Sequence, residues 1–108
     1  MQLASEARRR ALASMSEREF QAQMRQLAEL KGWTVLTTWN SMHSPAGEPD
    51  LRLVRPPRVI FMELKSQKGK LSPAQEQVIA LLKRCPGLEV YVFRPSDFEQ
   101  IIKVLGRE

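Results

Sequence analysis

Two short fragments of this chain carry the residues most able to do chemistry: Gly47-Glu48-Pro49-Asp50 and Glu63-Leu64-Lys65. Asp50 precedes Glu63 by thirteen positions, and Lys65 follows two later. Two carboxylates and an amine are the groups that hold a hard divalent cation and a water. Mg²⁺ or Mn²⁺ takes oxygen ligands, polarises a phosphoryl oxygen and lowers the pKa of a bound water, while a lysine orients or deprotonates that water for in-line attack. The same groups also admit a plainer reading, in which Lys65 bridges Asp50 and Glu63 as a salt-bridge cluster at a sheet end and nothing is catalysed.

Which reading holds depends on the strands that carry them. Residues 50–54 and 59–65 read as strands, joined by Arg55-Pro56-Pro57-Arg58, whose prolines suit a turn and cannot sit in a central ladder. With Val54 opposite Val59 in an antiparallel hairpin, Asp50 falls opposite Glu63. Such a pair has Cβ atoms roughly 4.5–5.5 Å apart, and like charges there repel unless something cationic lies between them. Strand alternation places Val59, Phe61, Glu63 and Lys65 on one face and Ile60, Met62 and Leu64 on the other. A glutamate inside this apolar run is costly to bury unpaired, so a compensating charge is required. A register slip of one residue would dismantle the arrangement.

The hairpin needs a frame, and the flanking chain supplies its elements. Ser16-Glu17-Arg18-Glu19 has the form of a capping box, and Phe20, Met24, Leu27 and Ala28 recur at helical spacing until Gly32. Residues 33–39 are β-branched and aromatic and read as a strand, and 40–48 as a loop. After the Lys68-Gly69-Lys70 turn, Ser72 caps a helix with Pro73 at its first position and Gln75 closing the box. That helix runs to Cys85-Pro86-Gly87, Leu88–Phe93 forms a strand, and Ser96-Asp97-Phe98-Glu99 caps a last helix ending at Gly106. Trp33, Trp39 and Phe61 read as core. The order α-β-β-β-α-β-α, a hairpin followed by a strand-helix-strand crossover, predicts an α/β fold with a mixed sheet of about four strands flanked by helices. Residues 1–14 stand apart as an arm or helix that could form a dimer, and 15–108 as the domain proper.

Composition narrows the partner. Seventeen Lys and Arg against twelve Asp and Glu give a net charge of +5 and a pI near 9.9 in 108 residues, which favours a polyanion. One cysteine, Cys85, and one histidine, His43, exclude a disulfide or a Cys/His zinc cluster within one chain, so a metal must be held mainly by oxygen. His43 reads as a loop residue, and Cys85 sits at a helix end with no reactive partner in sequence. No apolar run reaches the roughly 18 residues of a membrane span. The segment after Arg8-Arg9-Arg10 is too short and polar for a signal-peptide core. A reducing cytoplasm is expected.

Pro49-Asp50 and Glu63-Leu64-Lys65 resemble the PD-(D/E)XK nuclease signature. The wider string, Gly47-Glu48-Pro49-Asp50-Leu51 through Glu63-Leu64-Lys65, Gly69 and Leu71-Ser72-Pro73-Ala74-Gln75, is similar to the virus-type replication-repair nuclease (VRR-NUC) family, over residues 16 to 105. The resemblance implies a restriction-endonuclease-like core in which Asp50, Glu63 and the backbone carbonyl of Leu64 bind Mg²⁺ or Mn²⁺ and Lys65 is the catalytic lysine. Glu17, four residues before Gln21 on one helical face, matches a family glutamate and would bind a second metal or a metal-bound water; as a first-turn glutamate it also suits the helix dipole. Glu19 is better explained as the capping partner of Ser16. Gln75 matches a family glutamine able to reach the attacking water or the phosphate, besides capping its own helix. Glu48 stands where relatives would carry an apolar or aromatic residue.

Lys68 and Lys70 lie just beyond the site, and Arg52, Arg55 and Arg58 surround the hairpin; Lys68, Lys70, Arg52 and Arg58 are the candidate phosphate contacts. The resemblance implies a metal-dependent, structure-selective DNA endonuclease. Its stand-alone minimal members suggest a homodimer that resolves Holliday junctions or other branched DNA in a bacterial or phage-infected cell. The alternatives are a flap- or nick-directed repair nuclease, a restriction-type nuclease, and a non-catalytic DNA-binding module that binds in a salt-sensitive way without cutting.

Overall fold

In the computed structural model, which describes residues 2–36 and 46–107, the chain begins with helix α1 (Gln2–Ser14) and then α2 (Glu17–Leu30). The segment 1–14, open between arm and helix in the sequence, is thus helical from Gln2. The start of α2 follows from its capping box: the Ser16 hydroxyl accepts from the Glu19 N–H at 3.1 Å, and the Glu19 carboxylate accepts from the Ser16 N–H at 3.2 Å. Gly32, at φ +87°, turns the chain out of the helix.

Strands β1 (Thr34–Leu36), β2 (Leu51–Arg55), β3 (Arg58–Leu64) and β4 (Leu88–Phe93) form one sheet in the order β1-β2-β3-β4. The first three are antiparallel neighbours and β4 runs parallel to β3, so the predicted mixed sheet is present. Strand β1 is described only to Leu36; positions 37–39, including Trp39, and the loop residue His43 lie outside the described residues. The hairpin is tighter than predicted. Arg55 pairs with Arg58, which leaves Pro56 and Pro57 alone as the turn, while Val54 pairs with Val59 as expected.

Helix α3 (Pro73–Lys83) makes the crossover to β4, opened by Ser72, Pro73 and Gln75 in their expected roles. Helix α4 (Phe98–Gly106) follows a 3₁₀ turn at Pro95–Asp97. Here the expected cap is corrected. Asp97 closes the turn by accepting from the Arg94 N–H at 2.8 Å, and Ser96 bonds instead to Gln67.

The core lies between the sheet and the pair α2/α4. Phe20, Met24 and Ala28 of α2 and Ile101, Val104 and Leu105 of α4 pack with Leu51, Leu53, Ile60, Met62, Leu64 and Phe93, all buried. Phe61 is not among them; alternation turns it to the opposite face, where it is half-buried. Helix α3 packs against β4 with Ile79 buried outside that cluster. At the turn end of the hairpin, Trp33 is buried with its ring 4.5 Å from the Arg55 guanidinium and 4.9 Å from that of Arg58, and its indole N–H donates to the Leu105 carbonyl at 2.9 Å. Arg55 donates to the carbonyls of Lys31 and Leu105, so it joins the ends of α2 and α4 to the sheet.

Candidate active site

At the other end of the same hairpin the paired ladder stops at Leu51 and Met62, one step short of Asp50 and Glu63. Asp50 turns back onto the sheet: its Oδ2 accepts from the backbone N–H of Leu64 at 2.8 Å. Glu63 still belongs to β3, level with Val92 of β4, and is 1% exposed. Lys65 is held where the strand ends by its N–H donating to the Phe93 carbonyl at 3.0 Å, and it is 8% exposed. Its ammonium lies 3.7 Å from Glu17 Oε1 and 3.9 Å from Glu63 Oε2. Gln75 serves its helix and the site together: Oε1 accepts from the Ser72 N–H at 2.9 Å, while Nε2 donates to Glu63 Oε2 at 3.2 Å. The structure therefore brings Asp50, Glu63, Lys65, Glu17 and Gln75 to one sheet end.

These distances bear on the two readings of the cluster. A salt bridge that satisfied its carboxylates would place the ammonium in charge-assisted hydrogen bonds of about 2.7–2.9 Å. Lys65 is an ångström further from Glu63 and makes no ion pair with Asp50 among the described residues. Glu63 Oε1 is fully buried with no hydrogen-bond partner there. Burial first, and the facing Asp50 carboxylate second, push the Glu63 carboxyl up to about 8, against the downward pull of Lys65. An orphaned buried oxygen beside a second carboxylate leaves a place for a cation that the lysine does not fill; without one, the raised pKa keeps the Glu63 carboxyl mostly protonated at neutral pH. The donors are hard oxygens, and they fit Mg²⁺ or Mn²⁺. Glu17 is not shown as a third ligand: among the described residues no three acidic, His or Cys side chains form a metal-holding group, and the closest charge to Glu17 is the Lys65 ammonium.

Two glycines and an amide clamp set the backbone around these groups. Gly47 has φ +85°, and a Cβ there would lie 2.3 Å from the Ala74 carbonyl oxygen, so the loop leading to Asp50 is pressed against the first turn of Gln75's helix. A Cβ at Gly69 would come within 2.8 Å of Ser66 Oγ and 3.4 Å of Glu17 Oε1. Gln67 holds the post-strand loop by both ends of its amide, donating to Ser96 Oγ at 2.9 Å and accepting from the Ser96 N–H at 3.0 Å. Arg94 adds a 2.7 Å bond to the Gly69 carbonyl. Sequence reasoning missed Gln67 and Arg94, whose partners lie 29 and 25 residues away.

The candidate phosphate contacts separate. Lys68 and Lys70 are exposed on the loop beyond Lys65, and Arg52 shares the Asp50 face of β2. Arg58 is placed elsewhere, at the turn end. Its Nε and Nη2 grip both oxygens of Glu89 at 2.6 and 2.7 Å, and its Nη1 donates to the Arg107 carbonyl at 2.7 Å. That pairing, as its largest cause, holds the Glu89 carboxyl below its usual range. With its side chain 12% exposed, Arg58 is a clamp on β4 and the end of α4 and not a site contact.

A family model of the VRR-NUC domain matches residues 2–97 of the 108-residue chain. The chain belongs to the VRR-NUC family. A comparison with curated proteins and one with solved structures each found no match. The four-stranded mixed sheet flanked by four helices agrees with the α/β nuclease-like fold of a VRR-NUC domain. Membership makes the protein one of nuclease type, with DNA as its substrate. Among the described residues no helix is long and apolar enough to cross a membrane.

Proposed function

We propose that this VRR-NUC protein is a metal-dependent, structure-selective DNA endonuclease that hydrolyses phosphodiesters in branched DNA, with Holliday-junction resolution by a homodimer as its most specific form. The observation that carries the reading is Glu63: a 1%-exposed carboxylate with an unpartnered oxygen, beside Asp50 and within reach of a lysine. Asp50, Glu63 and the Leu64 carbonyl would hold Mg²⁺ or Mn²⁺, which supplies charge neutralisation at the scissile phosphoryl group and acidifies a water. Lys65 orients that water as the ammonium, or takes its proton as the neutral amine, while the water oxygen bonds to phosphorus; a P–O ester bond breaks and the departing oxygen takes a proton from solvent water. Glu17 restrains the ammonium from one side. Gln75 holds Glu63 Oε2 in place, leaving Oε1 for the cation.

Lys68, Lys70 and Arg52 would meet phosphates flanking the cut. The homodimer follows from symmetry: each chain carries one such site, and two cuts related by a two-fold axis need two. We assign residues 1–14 to that assembly and 15–108 to the catalytic domain, since α1 rests on the 3₁₀ turn and keeps residues 5–11 exposed. The single cysteine suits a cytoplasmic setting.

The test is incubation with Mg²⁺ or Mn²⁺ on matched four-way, flap and linear duplex substrates, alongside Asp50→Ala and Lys65→Ala. Preferential cutting of the four-way junction, lost in both variants, is expected. Equal cutting of all three substrates would remove structure selectivity, and unimpaired cutting by either variant would remove the proposed site. Mapped products separate flap, nick and restriction-type activities.

A further inference from the structure

We propose that the flank of α2 beginning at Glu17 is the track on which a DNA strand lies as it leaves the site, with Arg18 and Arg25 seated on its phosphates; this rests on the nuclease reading above. Helix α2 buries Phe20, Met24 and Ala28. At 3.6 residues per turn, the helix surface moves outward from that face through Glu17 and Gln21 to Arg25 and Arg18. Burial follows the same gradient, with Glu17 and Gln21 half-buried and Arg25 and Arg18 exposed. The flank starts at the site because Glu17 Oε1 lies 3.7 Å from the Lys65 ammonium.

Its chemistry suits a sugar-phosphate backbone. Arg18, Gln21, Ala22, Arg25 and Gln26 line a shallow groove with no acidic residue in its wall. Among the described residues neither Arg18 nor Arg25 lies within ion-pair distance of a carboxylate, whereas Arg58 is spent on Glu89 and Arg55 on backbone carbonyls. Two guanidiniums are therefore available to exchange for counterions. Seven positions of helix separate them by about 10 Å, and a strand rises about 3.4 Å per nucleotide, so they span roughly three nucleotides. The amide of Gln21 between them and that of Gln26 just beyond can donate to phosphate and sugar oxygens, and Ala22 lets the backbone approach. A second groove, between α1 and the start of α4, also carries two arginines, Arg8 and Arg9, but Glu99 stands in its wall.

The experiment measures affinity for a labelled duplex and a labelled four-way junction in EDTA across a salt series, for the wild type, Arg18→Ala/Arg25→Ala, and Lys83→Ala/Arg84→Ala. The last pair removes the same charge from the end of α3 remote from Gln75. Losing two phosphate contacts should flatten the slope of log K against log salt by about 1.8, so that the variant loses roughly tenfold less affinity than wild type between 50 and 200 mM salt. The α3 variant should keep the wild-type slope, and Arg18→Lys/Arg25→Lys should restore it. Unchanged melting temperatures confirm the fold. An unchanged slope in the α2 variant, or an equal change in the α3 variant, overturns the track while wild-type cleavage leaves the nuclease reading standing. If the wild type neither binds nor cuts any substrate, the nuclease reading itself falls.

Discussion

Glu63 is the residue on which stability and activity pull in opposite directions. Its carboxyl titrates at about 8 in the folded protein against its usual 4.5, mainly through burial. The sign follows from proton linkage. Because folding raises the pKa, the favourable contribution is fully present below about pH 4.5 and is lost as the pH climbs toward 8. Metal-free protein should therefore become less stable between these values, by on the order of 4 kcal/mol from this residue. Glu63→Gln keeps the shape and removes the charge. In urea denaturation at pH 8 without metal it should be at least as stable as wild type, with a flatter pH dependence, while cleavage is abolished. A steep loss of stability in the variant would show that burying this carboxylate costs the fold little. In the proposed metal site the same ionisation would set metal affinity, since a cation binds the deprotonated ligand. Addition of Mn²⁺ should raise the melting temperature of the wild type more at pH 8 than at pH 6, and that difference should vanish in Glu63→Gln.

Elements position these residues through backbone that cannot be exchanged freely, and two glycines separate conformation from crowding. Gly47 and Gly87 have φ of +85° and +87°, but a Cβ at Gly47 would strike the Ala74 carbonyl while one at Gly87 meets nothing within 4 Å. Gly87→Ala should therefore cost only the left-handed strain of about 1–2 kcal/mol. Gly47→Ala should cost more and also reduce cleavage, because the loop carrying Asp50 must move away from α3; thermal melts and single-turnover rates of the two variants check this. Arg58→Ala belongs to the opposite end of the hairpin. Losing its grip on Glu89, its stacking on Trp33 and its bond to Arg107 should cost about 3 kcal/mol while leaving the salt dependence of DNA binding unchanged. Much of this architecture was legible in sequence. Capping boxes at Ser16 and Ser72, the run Leu88–Phe93 and the hairpin register are written within a few residues, and a prolyl turn with strict alternation leaves one register that buries Ile60, Met62 and Leu64. That register brought Asp50 to Glu63. The role of Arg58 was not legible, because its partner Glu89 lies 31 residues away across a parallel crossover and a basic residue beside a turn reads as solvated. Ser96 failed for the same reason, being recruited by Gln67 from a distant loop, whereas Phe61 failed because alternation puts it on the second side of the sheet, away from the main core.

At the scale of the whole molecule, the proposed junction activity requires something a single chain does not contain. Each chain presents one cluster around Glu63, so paired cuts demand a second chain related by a two-fold axis. Among the described residues, exposed apolar side chains are spread over the surface, Leu30 at 83% and Leu81 at 60%, while α1 carries an exposed polar face, so no one patch there announces the partner. The catalytic outcome is a sharper readout than the interface. Wild type and Lys65→Ala, unfolded and refolded together at equal concentration, would form mixed dimers with one competent site. On a four-way junction these dimers should nick one strand and stop, and nicked junctions should accumulate in place of paired linear products as the proportion of variant rises. Residual paired cutting should then fall as the square of the wild-type fraction, because only dimers with two competent subunits cut both strands. A linear fall without nicked product would mean that each chain acts alone, and the protein would then be a monomeric nuclease acting on flaps or single strands.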